Sequence, residues 1–329
     1  MNNIVSIEER ALLRCTRIEA SELQTLQGWY PVVIGNNGLW WQFFGEKKFS
    51  EPFFHDTVGM LGQVGARLCT QTSFDALDTF DMTLAPSAFI FHVSRCGSTL
   101  LTQLLSSLPQ CIVMSEPPVI DSFLRRYHAG MDQGEAEKLL RQIVSVLGQK
   151  RFAAERHLFI KLDSWHIGSL PLFRKVFPNT PFLFMYREPE QVLASHRRQR
   201  GRQMVPGLVN AAMPPHDFTM TAPGDLDAYC ANMLGYFFNS ACQFSDELIF
   251  VNYQQMPHIV WDKLLDFFAI TTSTEQLEAL KSRSGRHSKN REVFSGDPQA
   301  ISSGNGDACV SLYPSYERLE QLRLSQNKF

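Results

Sequence analysis

From residue 88 to 93 the chain is almost wholly apolar, the pattern of a strand buried on both faces of a parallel sheet. The period then changes. Leu100, Leu101, Leu104, Leu105 and Leu108 fall at i, i+1, i+4, i+5 and i+8, which is one face of a helix. Further apolar runs predict strands over 110–115, 157–162, 182–186 and 248–253. Helices are predicted over 119–128, 134–148, 168–176, 225–244, 256–268, 274–283 and 314–324, with another opening at Pro189. Strand–helix alternation of this kind predicts a three-layer αβα domain around a central parallel sheet. The connection over 201–224 has several Gly and Pro and little periodicity, and its length is that of a lid or binding loop.

Residues 1–85 read differently, as a small aromatic-rich N-terminal subdomain ahead of the main domain at 86–329. Val32-Val33-Ile34 and the run 39–44 flank Asn37-Gly38, a hairpin signal, and a helix is expected to begin near Asp56. The rings of this segment are expected to form its core rather than a binding platform.

Composition narrows the function classes. The 329 residues are 44% apolar and 19% charged, with a formal net charge of −2, so no global basic field points to nucleic acid. An anion site has to be local. No apolar run reaches the ~20 residues needed to span a bilayer, and the first ten residues lack the basic and apolar regions of a secretory signal. The seven cysteines are odd in number and include no C-x-x-C pair, which indicates neither a disulfide framework nor a zinc cluster and fits a cytoplasmic protein.

The turn between the first long strand and its helix holds Ser94, Arg95, Cys96, Gly97, Ser98 and Thr99. A helix N-terminus offers unpaired N–H groups and the positive end of a dipole. Gly97 allows close backbone approach, Ser98 and Thr99 add hydroxyls, and Arg95 adds a planar cationic fork. This is a phosphate cradle, although not the G-x-x-x-x-G-K-[ST] form, which needs a Lys for the terminal phosphates and a Ser/Thr for magnesium. Cys96 fills a small-residue position, or has a depressed pKa beside the cradle. The run Ser94-Arg95-Cys96-Gly97-Ser98-Thr99 instead resembles the phosphosulfate-binding loop of the sulfotransferase family, a P-loop-type nucleotide-binding fold.

A second stretch resembles the same family: Arg187-Glu188-Pro189, with Ser195 eight residues after the Arg. The resemblance implies that Arg187 and Ser195 bind the 3′-phosphate of the nucleotide. Weaker likenesses are the late strand ending at Asn252-Tyr253 and the basic stretch 284–290, where Arg286 and Lys289 would lie over the adenosine. The likeness spans about 88–290. It implies 3′-phosphoadenosine 5′-phosphosulfate (PAPS) as donor, no metal, and transfer of a sulfuryl group to an acceptor hydroxyl or amine. The cofactor-binding residues it marks are Ser94, Arg95, Cys96, Gly97, Ser98, Thr99, Arg187, Ser195, Arg286 and Lys289.

Ligands of open parallel sheets bind beyond the carboxyl ends of the strands, where Arg95, Glu116, Lys161, Asp163 and Arg187 all fall. An acceptor hydroxyl needs a base within hydrogen-bond reach. Glu116 is the first candidate, since Ser115-Glu116-Pro117 resembles the Glu-Pro element of carbohydrate and tyrosylprotein sulfotransferases, where a Glu serves as base. His166 is the second. His92 is expected to be a buried strand residue. Lys161 would orient base or acceptor, or form a simple ion pair. Arg197, Arg198, Arg200 and Arg202 would recognise an acidic acceptor or mark a solvated helix end. Carbohydrate, lipid, peptide and small-molecule acceptors all stay open. So do two other readings, a nucleotide kinase or hydrolase and a catalytically silent binding protein on the same fold.

Overall fold

The computed structural model describes residues 12, 14–64, 67–216, 224–285 and 309–326, and these form two sheets around one continuous apolar core. The first sheet comes from the N-terminal segment. Its strands β1 (Thr16–Arg17), β2 (Trp29–Gly35), β3 (Gly38–Phe43) and β4 (Leu68–Thr72) lie in the order β1-β4-β3-β2. β2 and β3 are the expected hairpin, closed where Gly35 faces Gly38. Gly38 has φ 131, and a Cβ there would stand 2.2 Å from the Thr72 carbonyl of the neighbouring strand, so only glycine fits. Trp29, Tyr30, Trp41, Phe44 and Phe49 are buried, each ring contributing about 1.5–3 kcal/mol by leaving water. The aromatic density is therefore core. Helix α1 (Phe54–Val64) joins β3 to β4.

The second sheet is all parallel, in the order β6-β7-β5-β8-β9, built from β5 (Pro86–His92), β6 (Cys111–Ser115), β7 (His157–Lys161), β8 (Phe182–Tyr186) and β9 (Ile249–Asn252). The strand read first in sequence is central in space. From it the chain runs out to β6, returns through β7, and crosses to β8 and β9, so the direction of winding switches beside β5. Crevices form at such switch points. Helices cover both faces, as the alternation predicted: α2 (Ser98–Ser106), α3 (Pro118–His128), α4 (Gln133–Leu147), α5 (Leu170–Val176), α6 (Pro189–Arg198), α7 (Leu226–Gln243), α8 (Thr274–Ser284) and α9 (Tyr313–Ser325). Among the described residues no helix is long and apolar enough to cross a membrane.

Two predicted helices differ in detail. The stretch 168–176 begins as a 3-10 segment (Ser164–Ser169), and α5 starts only at Leu170, with Pro171 in its first turn. The stretch 256–268 holds a π segment (Val260–Leu264) and a single α turn (Leu265–Phe267). The described part of the long connection carries two short 3-10 turns, Arg202–Met204 and Asn210–Ala212.

Long-range side chains stitch the N-terminal sheet to the parallel domain. Gln149 accepts from Gly28 N (3.0 Å) and donates to the Trp29 carbonyl (2.6 Å). Arg151 donates to the carbonyls of Gly45 and Lys47 and lies 5.0 Å from the Tyr30 ring. At the other edge α9 lies along β9: Gln326 donates to the Leu248 carbonyl, and Asn252 donates to Glu320 at 2.8 Å. The helix thus covers a strand edge that would otherwise expose unpaired backbone groups.

Candidate active site

The turn after β5 has an unusual backbone. Ser94, Arg95 and Gly97 all have left-handed backbone (φ 68, 52 and 81), and α2 starts at Ser98. A Cβ on Gly97 would meet the Tyr253 ring at 2.7 Å. The loop is therefore pressed against Tyr253, and glycine is needed for space as well as for φ. Cys96 is fully buried, and burial pushes its thiol up against the lowering effect of Ser98 and Val93 backbone contacts. It fills a small-residue position; the expectation of a depressed pKa is corrected, because desolvation outweighs the loop's donors.

Beside the cradle lies a cavity of ≈ 510 Å³, lined by Ser94, Arg95, Ser98 and Thr99 on one side and by Glu116, Lys161 and Asp163 on another. Residues 199–203 and Phe53 with His55 close it further. Among the described residues four non-glycines have positive φ, and three of them (Ser94, Arg95 and Glu116) line this cavity. Each such residue costs on the order of 1–3 kcal/mol, a strain that clusters at functional sites.

Glu116 follows β6, and its N–H donates to the Lys161 carbonyl (2.8 Å). That turn swings its carboxylate onto the Lys161 ammonium of the neighbouring strand, Oε1 to Nζ 2.6 Å. Lys161 is 1% exposed and also stands 4.7 Å from the Phe53 ring centre. Behind the pair, His92 Nδ1 accepts the Ser94 N–H at 2.9 Å, which leaves the ring proton on Nε2, 3.5 Å from Glu116 Oε1. Burial acts to raise the Glu116 pKa, but the Lys161 ammonium and His92 outweigh it and hold the carboxyl well below the usual range. Burial also lowers His92, against the pull of Glu116, so that ring is neutral at pH 7.

A second carboxyl, Asp121 of α3, is fully engaged. It accepts from Trp165 Nε1 (2.8 Å), His166 Nε2 (3.1 Å) and Arg125 Nε (2.7 Å). Burial opposes ionisation here too, and His166 and Arg125 overcome it. His166 is thereby set behind Asp121, is 1% exposed, and is not among the cavity-lining residues. Asp121, Asp163 and His166 bring three ligating atoms within 4.8 Å of one another. His166 Nε2 faces Asp121, and among the described residues its Nδ1 has no hydrogen-bond partner.

Asp163 differs from both. Burial first, then the neighbouring Glu116 and Asp121 charges, raise its pKa well above the ordinary aspartate range. The folded state therefore holds a proton that the unfolded chain releases near pH 4. The stability tied to this group is present at low pH and is lost as pH rises from about 4 through the raised folded value. Asp163→Asn, which keeps the shape without the charge, should flatten that decline. Melting temperatures followed from acid to neutral pH would show the variant gaining on the wild type as pH rises, and parallel curves would contradict it.

The second predicted anchor lies across β8. Arg187 is 8% exposed, donates through Nε to Gln191 Oε1 (2.8 Å), and stacks 4.1 Å over the Tyr253 ring. Tyr253 thus packs against Gly97 on one side and carries Arg187 on the other. Glu188 caps α6 by accepting from Glu190 and Gln191 N–H groups, Pro189 opens that helix, and the half-buried Ser195 follows two turns on. Arg286 and Lys289 lie outside the described residues. Of the basic run, Arg197 and Arg200 pair with Asp227 of α7 at 3.0 and 2.6 Å, and Arg202 lines the cavity. Arg95 donates to the Gln199 carbonyl (2.7 Å), which ties the cradle to that segment. Phe53, His55, Asp121 and Trp165 carried no signal as site residues: the first two belong to the N-terminal segment, and the others gain meaning only through partners about 44 positions away.

A family model described as "Sulfotransferase family" matches residues 86–270. Solved structures similar in fold include a sulfotransferase from Alicyclobacillus acidocaldarius, at 15% identity and TM-score 0.43, covering 74% of this chain and 97% of that one. Another is a sulfotransferase from Mycobacterium avium, at 12% identity and TM-score 0.48, covering 73% and 77%. A mouse sulfotransferase complexed with PAP is 12% identical with TM-score 0.37, covering 77% and 90%. A comparison with curated proteins finds no match.

Proposed function

Since this chain belongs to the sulfotransferase family, we propose that it transfers the sulfuryl group of PAPS to an acceptor hydroxyl or amine, with the ≈ 510 Å³ cavity as the meeting place. The observation that carries this reading is the buried Lys161–Glu116 pair, 2.6 Å apart, opening into the same cavity as the cradle and Arg95. A cation and an ionised carboxylate are there held opposite a ready anion site. The donor's 5′-phosphosulfate would rest on the N–H groups of residues 97–99, and its 3′-phosphate at Arg187 and Ser195. A reducing cytoplasm is the proposed compartment, and all seven cysteines are free thiols.

In this mechanism the acceptor oxygen forms a bond to sulfur as the bond from sulfur to the 5′-phosphate oxygen breaks. The nucleotide bisphosphate leaves with that electron pair. By analogy with phosphoryl transfer the transition state is loose, and positioning and positive charge do most of the stabilising. Arg95 and the cradle take charge on the leaving phosphate. Glu116, ionised at neutral pH, takes the acceptor proton. While paired it is a weak base. The sulfuryl oxygens draw the Lys161 ammonium toward themselves, which frees the carboxylate and raises its basicity when it is needed.

Calorimetric titration with 3′-phosphoadenosine 5′-phosphate, beside ATP plus magnesium, tests the donor assignment. The bisphosphate should bind with a Kd of roughly micromolar order and ATP at least about tenfold more weakly. Equal or better ATP binding would favour a kinase or hydrolase. Binding of the bisphosphate with no transfer to any acceptor class would favour the silent binder.

A further inference from the structure

We propose that Asp163 chooses the acceptor: its carboxyl takes an ammonium group, so the acceptor is a hydroxyl compound that also carries a cationic amine. This rests on the reading of the cavity as the acceptor site. Three carboxyls face or flank one small volume, and two are answered by the protein. Glu116 has Lys161, and Asp121 has Trp165, His166 and Arg125. Asp163 has no donor within hydrogen-bond distance among the described residues. The His166 Nε2 atom, 3.9 Å away, is already engaged with Asp121. Yet Asp163 is only 9% exposed, and it lines the cavity. A buried carboxyl left without a partner costs stability, and such a cost persists where a ligand supplies the missing group.

The chemistry of the surroundings selects a cation. Glu116 from the end of β6 and Asp121 from α3 raise the local negative potential. Lys161 of β7 is held by Glu116, and Arg202, from the segment after α6, acts on Asp163 less than either carboxylate does. Of the other cations that line the cavity, Arg95 is held by the Gln199 carbonyl and Arg200 by Asp227, and an anionic or a neutral acceptor would leave Asp163 unanswered. An ammonium ion lets Asp163 ionise, and the displaced proton passes to solvent, so charge balances. Trp165 lines the same cavity and offers an aromatic wall to an amine-bearing molecule. The volume is that of a small-molecule site.

The test uses the full chain saturated with 3′-phosphoadenosine 5′-phosphate, titrated with 4-(2-aminoethyl)phenol and with 4-(2-hydroxyethyl)phenol, which differ only in ammonium against hydroxyl. Titrations at mildly acidic pH in two buffers of unlike ionisation enthalpy report proton release. The amine should bind at least about tenfold more tightly and release a proton. Asp163→Asn should abolish both the preference and the release while keeping bisphosphate affinity and a cooperative melt. Equal binding of the two probes, binding of neither, or a preference that survives in Asp163→Asn would overturn the proposal. Failure of the bisphosphate itself to bind would instead overturn the donor reading, so the two failures are distinct.

Discussion

Glu116→Gln should lower turnover at saturating donor by about 10²–10⁴-fold, the range a positioned general base contributes, and should leave bisphosphate affinity nearly unchanged. The carboxylate lines the same cavity as the 94–99 turn, with its charge facing Lys161, and in the proposed mechanism it serves the acceptor. The amide keeps an oxygen that can accept from Lys161 and cannot take a proton. The same change leaves the 1%-exposed Lys161 without a counter-charge. Breaking a buried pair costs about 3–5 kcal/mol when nothing replaces it, and the amide oxygen should hold the loss below that. Single-turnover rates on protein shown by its melt to be folded separate the two effects. The pH dependence has a definite sign. Because the Glu116 pKa is depressed in the folded state, its contribution to stability is full above the ordinary glutamate value and is lost as pH falls toward the folded one. Full turnover in the variant would remove Glu116 as base. His166 could not simply succeed it, since its Nε2 is bound to Asp121 outside the cavity wall.

For Arg187→Ala the expected result is a loss of roughly 10–100-fold in affinity for 3′-phosphoadenosine 5′-phosphate, equivalent to about 1.5–3 kcal/mol for a charge-assisted hydrogen bond. The affinity for adenosine 5′-phosphate, which lacks the 3′-phosphate, should change far less. The guanidinium is preorganised: Gln191 holds its Nε at 2.8 Å, and the Tyr253 ring supports its plane at 4.1 Å. Arg187→Lys should therefore rescue poorly, because an ammonium has neither the stacking plane nor the fork. Titration of both nucleotides against all three proteins decides the matter. An equal loss for the two nucleotides would mean that Arg187 supports the cradle through Tyr253 and Gly97 rather than binding the 3′-phosphate.

How far the site was legible depends on how local each signal is. The turn proposed as the anion cradle is written in six consecutive residues, and its backbone follows from a strand, one obligatory glycine and a helix start. Arg187, Glu188 and Pro189 are likewise adjacent, and the cap and first turn of α6 form from them alone. The basic run at 197–202 was legible only as charge. Its split into Arg197 and Arg200 on Asp227, with Arg202 at the cavity, depends on α7 arriving some thirty residues later. Phe53 was legible only as an apolar residue, because its place beside Lys161 is set by how the N-terminal sheet docks on the parallel domain.

By itself the sequence determined the strands of the parallel sheet, the helices that alternate with them, the strand–turn–helix run through Gly97 and the Arg-Glu-Pro start of α6. Each is dictated by side-chain period, turn chemistry or a charge at a strand end, all of which act within a few residues. Tertiary structure alone decided the rest. Strand order put β6 beside β7, and a left-handed turn at Glu116 then aimed that carboxylate at Lys161, 45 positions on. Packing of α3 gave Asp121 to His166 and, among the described residues, left Asp163 without a hydrogen-bond partner of its own. Ionisation follows from these distances, because in a buried site the charge that prevails is set by the nearest group in space.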